Sequence, residues 1–139
     1  MTTQEIGYGL VARLQTAEKA IASAHGPFVL FVLAERETAP GKWDLLVSAP
    51  WLETNRKGVQ QMVDALTVHL KPADWVQLAS VTPLPPSMGY VQWIARKYDV
   101  QHGNQEVVND FWDSLFIPHG YIITANPLPA PALAQPVAA

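Results

Sequence analysis

Seven consecutive apolar residues, Phe28-Val29-Leu30-Phe31-Val32-Leu33-Ala34, constrain the fold of this chain more than any other stretch of it. The run has no polar alternation and is rich in β-formers. It therefore predicts a strand in the middle of a sheet, with cover on both faces. Glu37-Thr38-Ala39-Pro40-Gly41-Lys42 follows, and its Pro-Gly pair predicts the turn. Residues 43–49 make the returning arm, and Pro50 closes it because proline cannot donate to a ladder. Residues 28–51 thus read as a β-hairpin.

The elements around it follow from periodicity. Thr2 and Glu5 have capping-box spacing, and Ile6, Leu10, Leu14, Ala17 and Ile21 form one apolar stripe of an α-helix. His25-Gly26-Pro27 ends that helix with a cation, a C′ glycine and a proline. Gly7 and Gly9 weaken its first turns by about 1 kcal/mol each. Thr54 or Asn55 can cap a second helix, with Val59, Met62, Val63, Leu66 and Leu70 on its buried face and Lys71-Pro72 at its end. Residues 75–81 read as a third strand.

Thr82-Pro83-Leu84-Pro85-Pro86 is extended and stiff. Beyond it, Val91, Ile94 and Tyr98 favour a short helix in residues 87–97. Residues 106–116 fit two patterns. Val107, Val108, Phe111 and Leu115 make a helical stripe, whereas Asp113-Ser114 could be the turn of a hairpin. Tyr121-Ile122-Ile123-Thr124 is a strand. The expected fold is α+β, a mainly antiparallel sheet of four to five strands with two or three helices packed on it. Residues 1–126 form one domain in this reading, and 127–139 a disordered Pro/Ala-rich tail. The doubly apolar first arm needs cover on its second face, from the C-terminal half or from a second subunit.

Composition excludes more than it assigns. Lys and Arg are scattered and the formal net charge is −3, which argues against nucleic acid as a partner. Absence of cysteine removes disulfides, thiolate nucleophiles and Cys-bound zinc. The longest apolar run is too short to span a membrane, and the N-terminus lacks a signal-peptide pattern, so the expectation is a cytoplasmic protein. Five tryptophans are a heavy load for 139 residues, and they can fill the core or line a rim.

Candidate sites are few. Asn55-Arg56-Lys57-Gly58 places two cations where free helix N–H groups collect, a pocket suited to phosphate or carboxylate, with Trp51 upstream as a cover. The plain alternative has both side chains extended into water. His102 and His119, each beside a glycine, could join Asp99, Asp110 or Asp113 in a His₂-carboxylate metal site, though no His-x-x-x-His spacing occurs. Loop histidines on the surface are the plain alternative there. His69 near the end of the second helix reads as a capping cation. Pro83-x-x-Pro86 reads as a rigid connection rather than a polyproline ligand. There is no Gly-x-Ser-x-Gly elbow and nothing that calls for a cofactor.

Two functions remain. The first is a non-catalytic protein-interaction module, binding a protein partner or itself as a homodimer. The second is a small-ligand or enzyme domain using the start of the second helix. The many tryptophans and the missing nucleophile–base motifs favour the first.

Overall fold

The computed structural model describes residues 3–127. The chain runs α1 (Thr3–His25), β1 (Leu30–Arg36), β2 (Ala39–Ser48), α2 (Arg56–Thr67), α3 (Pro72–Gln77), β3 (Leu78–Pro83), α4 (Gly89–Tyr98), β4 (Gln105–Trp112) and β5 (Leu115–Ala125). The five strands form one sheet in the order β3-β2-β1-β5-β4. Only the β2–β3 pair is parallel. The fold is α+β, as the periodicities predict. No helix among the described residues is long and apolar enough to cross a membrane. The expected tail lies, beyond Pro127, outside the described residues, and so does Thr2 of the expected capping box.

Strand β1 is central, and its alternate residues enter two different cores. Phe31 and Leu33 meet Leu10, Leu14, Ala17 and Ile21 of α1 and Met62 and Leu66 of α2. Leu30, Val32 and Ala34 face the other way, against Val91, Ile94 and Ala95 of α4 and Trp112 of β4. The second face is therefore covered by the C-terminal half of the same chain, and β1 needs no second subunit to bury it.

Three boundaries differ from the expected ones. The β1–β2 turn is Glu37-Thr38, while Pro40 and Gly41 lie inside β2 in an irregular stretch where Glu35 pairs with Trp43 and Arg36 with Ala39. Gly41 has φ +85°, and its N–H donates to the Glu35 carboxylate at 2.7 Å, so the glycine serves a bulge rather than a turn. Helix α2 stops at Thr67, so His69 lies beyond it. Residues 72–77 are helical instead of continuing into a strand at Trp75, because Pro72 starts a helix. Asp74, three residues after Lys71, then accepts the Lys71 N–H at 2.8 Å. Of the two patterns open to residues 106–116, the hairpin is the one formed, turning at Asp113-Ser114.

Two contacts fix the helices. The fully buried Asp74 carboxylate is gripped by the Arg13 guanidinium through Nε and Nη2, both at 2.6 Å, which ties α3 to α1. Burial by itself raises the Asp74 pKa, but Arg13 and the Lys71 amide outweigh it and hold the carboxyl below its ordinary value. Gly58, buried in the first turn of α2, leaves no room for a side chain. A Cβ there would lie 1.7 Å from the Glu53 carbonyl oxygen.

Gly58→Ala should therefore destabilise the fold by about 2 kcal/mol or more, whereas Gly89→Ala, which meets nothing within 4 Å, should stay within about 0.5 kcal/mol or stabilise. Equal melting temperatures for the two variants would contradict this packing. Asp74→Asn should cost about 2 kcal/mol at neutral pH. Because the folded pKa is depressed, the Asp74 contribution is present above the unfolded value and lost as pH falls through the folded one. Urea melts should thus show wild type and variant converging below about pH 4. A gap that stays constant down to strong acid would assign the stabilisation to something other than the ionised carboxylate.

Candidate functional site

The start of α2 holds the residues expected to bind an anion. Asn55 caps the helix, its side-chain oxygen accepting the N–H groups of Lys57 at 3.0 Å and Gly58 at 3.3 Å. Two of the donors an anion would use are therefore already occupied. Arg56 and Lys57 are exposed. Trp51 is engaged elsewhere. Its indole N–H donates to the Gly26 carbonyl at 2.9 Å, and its ring stacks on His25 at 5.0 Å and meets the edge of Phe28.

His102 and His119 bind different carboxylates. His102 Nδ1 lies 2.7 Å from Glu18, and His119 Nε2 lies 2.6 Å from Glu106, with Glu35 3.8 Å from its other nitrogen. The His102 amide bonds to Thr124, five residues along β5 from His119. The two imidazoles are thus held at different places, one against α1 and the other against β4. Asp99 caps the end of α4 and Asp113 sits in the hairpin turn. Among the described residues no group of three or more His, Asp or Glu side chains is gathered as a metal site would require.

Two other features stand out. The first is a projecting arm. Pairing of β1 with β5 ends at Ala34↔Gly120, so Leu115 to His119 pair with β4 alone. A two-stranded ribbon of this kind needs support from one face. Helix α4 supplies it. Trp112 and Ile117 are buried against α4, and the Trp112 indole donates to the Tyr98 hydroxyl at 2.9 Å. That hydroxyl in turn donates to Asp110, which also receives Lys97 at 3.0 Å. The Tyr98 hydrogen bond, with Lys97, outweighs burial and holds the Asp110 carboxyl low, while burial and Asp110 push the Tyr98 phenol up.

The opposite face of the arm is bare. Val108 is 60% and Phe111 54% exposed there, while Leu115, 54% exposed, pairs with Trp112 at the hairpin tip and so lies on the α4 side. Phe111 packs on Phe116 at 5.3 Å between ring centres. A groove of about 210 Å³ separates the start of β5 from the β1–β2 tip, lined by Leu115 and Phe116 on one side and Arg36 and Asp44 on the other. The outer edge of β4 is closed at Phe111, whose N–H donates to Asp110 at 2.7 Å and whose carbonyl accepts Lys97 at 3.2 Å. Strand addition is blocked at that point, and the arm offers side chains rather than backbone.

The second feature centres on Glu18 of α1, a carboxylate with no exposure at all. One oxygen meets His102 Nδ1, and the other accepts the buried Thr124 hydroxyl at 2.9 Å. Thr124 Oγ1 accepts the His102 N–H at 3.1 Å, and Gln15 donates to the His102 carbonyl at 3.1 Å. His102 is thereby held at φ +51°, a left-handed conformation. The sequence reading passed over Glu18. Its signal was its place in the apolar stripe of α1, four residues after Leu14 and three before Ile21.

Comparison of the chain with protein-family models, curated proteins and solved structures finds no match. Function is therefore read from these geometries alone.

An ionised Glu18 accepts and cannot donate, so neutral His102 should carry its proton on Nδ1. Long-range ¹⁵N–¹H spectra at about pH 8 should show that tautomer, and Glu18→Gln should weaken the preference. A dominant Nε2–H form in the wild type would refute the assignment.

Proposed function

We propose that the protein is a non-catalytic interaction module that associates with a second copy of itself through the β4–β5 arm. The supporting observation is the exposure of Val108 and Phe111 on one face, with Leu115 at the tip, of a ribbon that continues past the last β1–β5 pair. Isolated exposed apolar residues are ordinary, but three on one ribbon are the mark of a docking surface.

A second copy suits this face for two reasons. The groove rim carries both signs of charge, Arg36 and Asp44, paired with each other at 2.9 Å, so it presents no net charge to a second copy. A two-fold arrangement can set each sign against its opposite. The formal net charge of −3 adds little repulsion between copies. Each exposed side chain contributes about 1 kcal/mol when half of its surface is buried, and association costs several kcal/mol, so the dimer is weak and concentration-dependent.

Sedimentation equilibrium from about 5 to 500 µM should show a monomer–dimer equilibrium. Phe111→Ser with Leu115→Ser should shift the midpoint at least about tenfold upward while leaving the melting temperature within a few degrees. A wild type that stays monomeric across this range, or a double variant that dimerises as tightly, would overturn the proposal.

A further inference from the structure

We propose that the groove beside His102 binds a small oxyanion, a phosphate or carboxylate group, held by His102 Nε2, the Lys19 ammonium and the Ser23 hydroxyl. The site is separate from the arm and does not depend on it.

The argument begins with Glu18. A wholly buried carboxylate is costly unless charge and hydrogen bonds compensate it, and Leu or Ile would suit this place in the apolar stripe better. Both of its side-chain hydrogen bonds among the described residues go to one imidazole and to the threonine that anchors the same loop residue. His102 is then fixed three ways, through its ring, its amide and its carbonyl, in a backbone conformation that side-chain-bearing residues rarely adopt. A left-handed residue locked by its surroundings is a common device for aiming a functional group.

What is aimed is the remaining ring nitrogen. Nδ1 faces Glu18, and among the described residues Nε2 makes no hydrogen bond. The His102 side chain is 43% exposed and lines a groove of about 290 Å³ with Lys19, Ala22, Ser23 and Pro27. Lys19 and Ser23 are four residues apart on α1 and so share that wall. Among the described residues Lys19 makes no ion pair. The polar groups meeting in the groove are thus an ammonium, a hydroxyl and an imidazole whose positive form is balanced from behind by Glu18. Lys19 and Ser23 can donate outward, His102 Nε2 does so when the ring is doubly protonated, and no carboxylate faces them from the groove lining. That donor set fits an oxyanion and does not fit a metal ion. The negative pole of the α1 C-terminus opposes an anion in part, against the Lys19 ammonium, so the affinity is modest.

The test is titration of the full chain at about pH 5.5, where an ordinary imidazole is doubly protonated, with inorganic phosphate and, separately, acetate, at ionic strength matched with sodium chloride, reading the histidine ring signals by NMR. His102 should shift saturably with a millimolar dissociation constant, while His69 and His119 drift only with salt. Saturation by phosphate at lower concentration marks a phosphoryl ligand, and the reverse order marks a carboxylate. Lys19→Ala with Ser23→Ala, both exposed positions, should weaken binding about tenfold without a change in fold. No saturable His102 response up to about 100 mM of either anion, or unchanged binding in the double variant, would overturn the proposal. Because Phe111 and Leu115 are intact throughout, the result is independent of the dimer reading.

Discussion

The burial of β1 on both faces is the constraint from which the rest of this architecture follows. Alternate side chains of one strand cannot reach the same core, so Phe31 and Leu33 require one layer and Leu30, Val32 and Ala34 another. Helices α1 and α2 supply the first layer. The second has to come from sequence beyond β3, which is why the chain returns through α4 and adds β5 beside β1 and β4 outside it. A sheet covered in this way has no apolar face left for a partner. Among the described residues the large apolar side chains left more than half exposed are Val68, Val76 and, on the arm, Val108, Phe111 and Leu115.

Much of the first half was legible because its signals are local. The apolar run, the α1 stripe ending at His25, and the Asn55 cap each depend on a few neighbouring residues, and each is found as read. The failures have physical causes. Pro40-Gly41 resembles a turn, but the Gly41 amide finds its acceptor in Glu35 across the hairpin, a long-range bond that local pattern cannot show. Trp75 and Val76 favour strands, yet Pro72 and Asp74 start a helix that the Arg13 ion pair secures from α1.

The C-terminal hairpin was ambiguous for a different reason. Asn109 has φ +50°, which breaks the two-residue alternation, so Val107 and Trp112 are both buried although five residues apart. Val107, Val108, Phe111 and Leu115 then imitate a helical stripe. The candidate sites were less legible still. His102 stood out by its residue type, but its partner Glu18 is 84 residues earlier, and only the tertiary fold brings the two together.

Strand β5 joins the two features that face outward. Its first residues, Leu115 to His119, belong to the arm, and its last, Thr124, anchors His102. The intervening Gly120 to Ile123 lie in the middle of the sheet, where a Cβ on Gly120 would come within 2.9 Å of the Leu33 carbonyl. The strand is therefore rigid between its ends, and the ends are on the order of 30 Å apart. At that separation, with no shared side chains, substitutions at one end should not alter the other by more than a few tenths of a kcal/mol. The same rigidity has a second consequence. Filling the His102 groove should leave the arm unmoved, because Gly120 to Ile122, which connect the two ends, are paired with a strand on each side. If ligand and dimer were nevertheless coupled, the connection would have to run through α1 or α4 rather than along β5.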